Sequence, residues 1–210
     1  TTAVVVASGM IDAHAGGVAL AGAQPAGTLA LISGTSNCHM LCSAQEIHTP
    51  GVWGPYWSAM LPGYWLTEGG QSAAGALVDW TLQESGASAE LFRKAEARGC
   101  HPIVLVNEWV AALEENESEP GRYLHVLADH HGNRSPRARP DARGSVCGLT
   151  LERGEGQLAR LYLATLQAIA CGTRHIMEVM RENGHTISRL TLCGGATHNP
   201  LWLREYAAAT

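Results

Sequence analysis

Thr28-Leu29-Ala30-Leu31-Ile32-Ser33-Gly34-Thr35-Ser36-Asn37-Cys38-His39-Met40-Leu41-Cys42 is the stretch whose reading decides the fold. Thr28–Ile32 and Cys38–Cys42 are short apolar runs, and such runs bounded by turn residues read as buried strands. Ser33–Asn37 lies between them as a turn. The expected unit is a β-hairpin whose tip is Gly34-Thr35-Ser36. Upstream, Ala3–Ala7 is another short β-branched run, ended by Gly9-Met10-Ile11-Asp12. A helix can start at Asp12, although Gly16-Gly17 is poor helix material and implies a short helix or a close backbone approach.

Downstream, residues 45–66 are rich in aromatics and proline and read as irregular, well-packed chain. Gln71–Ser85 has Ala74, Leu77, Val78 and Leu82 at helical spacing. Ala89–Ala97 and Ile103–Glu115 read as two more helices, and Leu124–Leu127 as a short strand. His130 opens a loop that runs to about Gly144. From Glu155 to about Asn183 runs a long helix, with Leu158, Leu161, Tyr162, Thr165, Ile169, Thr173, Ile176 and Met180 on one face and Gly184 as its stop. Ser188–Cys193 is a strand, and Gly194–Pro200 turns into a last helix. Strands alternating with helices after a hairpin give an α/β or α+β class.

Composition narrows the function. The chain has 210 residues, 46% hydrophobic and 16% charged, enough for one good core and too apolar for global disorder. Its apolar stretches break well short of the ~18 residues a membrane span needs. The first basic residue is Arg93, and the acids Asp12, Glu46, Glu68, Asp79, Glu84 and Glu90 precede it. That half lacks the footprint of nucleic-acid binding and of a secretory signal. Any phosphate held there must be held by backbone N–H groups and a metal ion. The single lysine, Lys94, has no Gly before it and no Ser or Thr after it, so there is no Walker A loop. The six cysteines form no C-x-x-C pair and read as reduced apolar fillers of a cytosolic protein. The rival reading is a metal clip of Cys38, His39 and Cys42.

Three glycine turns each follow a strand: Gly9–Asp12, Gly34–Ser36 and Gly194–Ala196. Open sheets bind ligands at strand ends, and glycine admits a phosphate or a base close to the backbone. Each turn alone is equally a plain turn. Gly154-Glu155-Gly156-Gln157-Leu158-Ala159 fits a dinucleotide fingerprint, but Glu155 puts a negative charge where a pyrophosphate would sit. Asp12 is either a helix N-cap or a general base at a cleft mouth. Glu68 is either a cap of the following helix or an acceptor for a polyol. His14 is either packed or catalytic, and His130-His131 near Asp129 resembles a metal cluster only superficially, because adjacent histidines point to different sides.

Taken together and in order, Ile11–Gly17, Gly34-Thr35-Ser36, Glu68–Gly75, His131–Pro136 and Cys193–Ala196 with Asn199 resemble the C-terminal half of the FGGY carbohydrate kinases, most closely the ribulokinase-like branch. The resemblance covers essentially the whole chain. It implies an actin-like, ribonuclease-H-like ATPase domain, truncated, with its partner N-terminal domain and its own last elements absent. It implies ATP-dependent phosphorylation of a sugar hydroxyl, a ketopentose such as ribulose, with MgATP as phosphate donor. Asp12 matches the family's base. Gly34, Thr35 and Ser36 match its phosphate-contacting hairpin, and Gly75 and Asp79 match positions near the nucleotide. Asp79 departs from relatives that carry Gln there. Gly194, Gly195, Ala196 and Asn199 match the adenosine site, and His14 and Glu68 the sugar side. The implied setting is cytoplasmic, without nucleic acid or membrane, and leaves the oligomeric state open, a homodimer included. The 210-residue piece alone is expected to be inactive. The alternatives are a non-catalytic actin-like nucleotide-binding module and the xylulose or glycerol branches of the family.

Overall fold

The computed structural model describes Val4 and residues 9–210. The strand expected over Ala3–Ala7 lies, apart from Val4, outside the described residues. The first element is helix α1 (Asp12–Ala21). Strands β1 (Thr28–Ser33) and β2 (Asn37–Ser43) follow, then β3 (Trp53–Trp57) and β4 (Trp65–Gln71). Helices α2 (Gly75–Glu84), α3 (Ser88–Arg98) and α4 (Pro102–Asn116) come next. A small ribbon of β5 (His125–Leu127) and β6 (Ser145–Cys147) precedes the long helix α5 (Glu155–Glu182). Strand β7 (Arg189–Cys193), a 3-10 turn (Gly195–His198) and helix α6 (Pro200–Ala209) close the chain.

Strands β3, β4, β2, β1 and β7 form one sheet in that order. All neighbours are antiparallel except β1 and β7, which run parallel. The β1–β2 hairpin forms with Ile32 opposite Cys38 and Ser33 opposite Asn37, which leaves Gly34-Thr35-Ser36 as its tip. Residues 45–66 depart from the irregular reading: β3 and the start of β4 lie within them. Their alternation is hidden by Pro55 and by the glycines of Trp65–Gln71, and pairing decides it, β4 against β2 and β3 against β4 at the edge. The helix expected from Gln71 starts instead at Gly75, because Gln71 still pairs with Asn37 in the sheet.

Side chains alternate across this sheet. Leu29 and Leu41 pack with Ile176, Met177 and Met180 of α5, while Leu31 joins Tyr162, Leu166 and Ile169. Ala30, Met40, Cys42 and Leu66 face the other way, toward α1 and Met60. The result is a three-layer sandwich with α1 on one face and α5 on the other. Gly16 and Gly17 are what let α1 lie down so closely: a Cβ on Gly17 would come 2.3 Å from the Met60 sulfur. Among the described residues, no helix is long and apolar enough to cross a membrane.

Candidate active site

The hairpin tip is bolted to the start of α2. The Gly75 N–H donates to the Gly34 carbonyl at 3.0 Å, and the Ala74 and Ala76 N–H groups donate to the Thr35 carbonyl at 3.0 and 3.1 Å. The approach needs a residue without a side chain, since a Cβ on Gly75 would sit 2.6 Å from the Gly34 carbonyl oxygen. On the other side, Gly194 has φ +96, and a Cβ there would meet the Ser33 carbonyl oxygen at 2.2 Å. Gly75 and Gly194 therefore act first as spacers that draw three strand-end turns together.

Between these turns lies a groove of about 360 Å³, lined by Gly34, Thr35, Gly75, Val78, Asp79, His101, Ile103, Gly195, Ala196, Asn199 and Trp202. One end carries the tip, where neither the Thr35 nor the Ser36 hydroxyl has a partner among the described residues. Val78, Ile103 and Trp202 supply apolar wall, and Asp79 stands exposed at the rim. Gly195 has open space where a side chain would go. Asn199 forms part of the floor but is only 3% exposed. Its amide donates to the Tyr162 hydroxyl at 2.7 Å, and its carbonyl oxygen accepts from Asn107 at 3.0 Å. The Tyr162 hydroxyl donates onward to the Asn107 oxygen at 3.0 Å. Burial pushes the Tyr162 phenol up to about 12, so it stays a neutral donor. The side chain of Asn199 is thus spent on holding α6, α4 and α5 in register under the groove.

A second cluster stands on the α1 face of the sheet. Asp12 is the first residue of α1, and Ile11, not Asp12, is the N-cap. The Asp12 carboxylate is exposed and accepts the Ala13 N–H at 2.7 Å, at the end of a helix where dipole and free N–H groups favour an anion. Glu68 sits in the middle of β4, opposite Met40 and Trp53, which rules out its reading as a helix cap. His14, two residues along α1 from Asp12 and facing the sheet, meets Glu68 at 3.4 Å. Beside them, Cys38 is held above the ordinary thiol range, chiefly by burial and then by the negative charge of Glu68, with Arg134 opposing and Asp12 reinforcing. Four stretches of sequence far apart therefore share one electrostatic neighbourhood.

A family model described as the FGGY family of carbohydrate kinases, C-terminal domain, matches residues 29–210. The chain belongs to the FGGY family of carbohydrate kinases. Asp12 and His14 lie outside the matched stretch. An FGGY carbohydrate kinase domain-containing protein of Xenopus laevis is 48% identical over 221 residues, covering 98% of this chain and 40% of that protein. A D-ribulokinase of Saccharomyces cerevisiae is 35% identical over 98% of this chain and 32% of its own length. The chain thus spans about two fifths or less of these relatives. The crystal structure of a xylulose kinase from Rhodospirillum rubrum superposes with a TM-score of 0.68 at 24% identity, over 93% of this chain and 35% of that one. The fold is the actin-like ATPase fold of FGGY sugar kinases.

Within this FGGY domain, Gly34, Thr35, Gly75, Asp79, Gly195, Ala196 and Asn199 converge on the groove, as their order in the sequence implied. Ser36 and Gly194 do not line it. Ser36 instead closes the tip through its carbonyl, which accepts from the Gly34 N–H at 3.0 Å. The sequence reading missed His101, Ile103, Val78 and Trp202. His101 caps α4, its Nδ1 accepting the Ile103 N–H at 3.2 Å ahead of Pro102, and His101-Pro102 is a legible helix start that could have flagged this wall. The remaining rivals are decided by facing. Cys38 and Cys42 point toward α1 while His39 points toward α5, where it meets the Thr173 hydroxyl at 2.9 Å, so the three form no metal clip. In the dinucleotide-like turn, Glu155 pairs with Lys94 at the start of α5.

Proposed function

We propose that this chain carries the nucleotide groove and the general base of an ATP-dependent sugar kinase, that its acceptor is a ketopentose, ribulose by preference, and that the rest of the sugar pocket comes from a preceding domain. The observation that carries the reading is the convergence of the hairpin tip, the α2 start and the β7 turn on one groove, with a carboxylate at a helix N-terminus on the neighbouring sheet face. In this reading the apolar walls take the base and ribose of ATP. The Thr35 hydroxyl and its backbone N–H hold phosphate oxygens, which suits a half of the chain without Lys or Arg before residue 93. Asp12 takes the proton from the attacking sugar hydroxyl as that oxygen moves on the γ-phosphorus. Phosphoryl transfer asks mainly for alignment and charge neutralisation, so a positioned base and a rigid tip are what the protein needs to supply.

No group of three His, Cys, Asp or Glu side chains that could cage a cation stands among the described residues. That fits Mg2+, which commonly enters kinase sites on nucleotide phosphates, waters and one or two carboxylates. When bound, it neutralises charge on the transferring phosphoryl group. Asp12 is the exposed carboxylate of this face that would reach it. Ribulose is preferred over xylulose or glycerol on the strength of the D-ribulokinase relative.

The test is Asp12→Asn in the full-length protein, followed by coupled ADP release with ATP and a panel of ketopentoses. The expected result is a fall in kcat of about 10²–10⁴-fold with the ATP Kd kept. Wild-type turnover by the variant removes Asp12 from the role. ATP binding by the unaltered protein with no sugar-dependent ADP release points instead to a non-catalytic nucleotide-binding module.

A further inference from the structure

The loop after β5 brings one residue into the sugar-side cluster that neither the nucleotide groove nor the base accounts for. Arg134 lies flat on the α1 face of the sheet, over Gly70. A Cβ on Gly70 would sit 2.6 Å from the Arg134 Cδ and 3.2 Å from its Nη1, so the glycine is the bed on which the side chain rests. The loop is pinned there by the Ser135 N–H, which donates to the Gly70 carbonyl at 3.0 Å. The guanidinium stands 5.4 Å over the ring of Trp53, a cation–π contact that fixes its plane and uses none of its N–H donors. Among the described residues, no carboxylate or carbonyl accepts from it. Gly70 is two residues from Glu68 on the same face of β4, and Trp53 is directly opposite Glu68. The Cys38 thiol lies near both, burial and then the Glu68 charge raising its pKa and the Arg134 charge lowering it.

A half-buried arginine with a fixed plane and idle donors beside a carboxylate that it does not neutralise is set up for a ligand. Glu68 can only accept hydrogen bonds, and Arg134 can only donate them. We infer that Arg134 and Glu68 form a diol-reading pair, in which one hydroxyl of a neutral polyol donates to Glu68 while its neighbour accepts from Arg134. The pair orients the sugar and so presents the reacting hydroxyl to Asp12. Arg134 is in this sense a specificity-determining residue for the reaction. The inference rests on the sugar-kinase reading above.

The experiment uses the full-length protein with ATP, ribulose, xylulose and their 1-deoxy, 3-deoxy and 4-deoxy analogues, comparing wild type, Arg134→Ala and Arg134→Lys. Arg134→Ala is expected to raise the ketopentose KM about 10- to 100-fold while the ATP KM stays within about twofold, and Arg134→Lys to restore it only in part, because an ammonium lacks the planar fork. One deoxy analogue should show the same KM in wild type and Arg134→Ala, identifying the contacted hydroxyl. A sugar KM unmoved by Arg134→Ala overturns the inference. So does a loss spread evenly over every analogue, or tighter Arg134-dependent binding of ribonate, which would make the residue a carboxylate reader. If wild type turns over no ketopentose, ribulose binding is read by tryptophan fluorescence. Binding that Arg134→Ala abolishes then sinks the kinase reading and keeps the diol pair, and no binding sinks both.

Discussion

Gly75→Ala isolates the claim that the groove beside the hairpin tip exists because three turns are allowed to touch. The added methyl would lie 2.6 Å from the Gly34 carbonyl oxygen, where 3.4 Å is ordinary contact, so tip and helix must part by about 0.8 Å. Both clashing partners are backbone, with no side chain to swing away. That displacement takes the bonds from Ala74, Gly75 and Ala76, now 3.0–3.1 Å, beyond useful length. Three bonds at roughly 1 kcal/mol net each cost about 3 kcal/mol. The better helix propensity of alanine returns at most about 1 kcal/mol. The clash wins, by about 2 kcal/mol, which for a domain of this size lowers Tm by roughly 4–8 °C. Thermal unfolding of the full-length variant, followed by circular dichroism alongside ATP titration, reads both effects, and ATP affinity should fall with Tm. Gly195→Ala is the reference, since nothing lies within 4 Å of its new methyl. There Tm should hold while a methyl in the groove weakens ATP roughly tenfold, about 1.4 kcal/mol. An unchanged Tm in Gly75→Ala refutes the close-approach account, and with weakened ATP binding it would make Gly75 a direct nucleotide contact.

Two other consequences follow from the interior. Burial drives the His39 imidazole down to about 3, so the native state refuses a proton that the unfolded chain accepts below about 6.5. Stability is therefore full above pH 6.5 and falls toward pH 3 by about 1.4 kcal/mol per pH unit, or about 2 kcal/mol between pH 7 and 5; urea midpoints at pH 7, 6 and 5 for wild type and His39→Gln should differ in slope, and parallel slopes would discard it. Asn199→Ala removes one hydrogen-bond partner each from Tyr162 and Asn107 and the cap of α6, at a cost of about 2–4 kcal/mol. Chemical denaturation should show that loss, and a variant as stable as wild type but unable to bind ATP would mean that the amide serves the ligand instead.

The sequence by itself determined the local units. Short apolar runs and a Gly-Thr-Ser turn specify the hairpin, and a 3.6-residue stripe specifies α5, because both signals come from neighbours along the chain. Ordered motifs also named most of the groove: Gly34, Thr35, Gly75, Asp79, Gly195, Ala196 and Asn199 meet there. Tertiary structure alone decided the rest. Strand β4 owes its existence to pairing with β2, and β3 to pairing with β4, so Trp53–Trp57 and Glu68 carry no local signal of being in a sheet. Which face each β2 residue takes separated Cys38 from His39 and dissolved a metal clip that spacing permitted. Gly75 and Gly194 read as ligand contacts in sequence, yet the distances show them relieving clashes with carbonyls of β1 and its tip, contacts made across 40 to 160 residues that no local pattern can encode. Arg134 gained meaning for the same reason: a guanidinium is assigned a task by what lies beneath and beside it, and Gly70, Trp53 and Glu68 reach it only when the chain has folded.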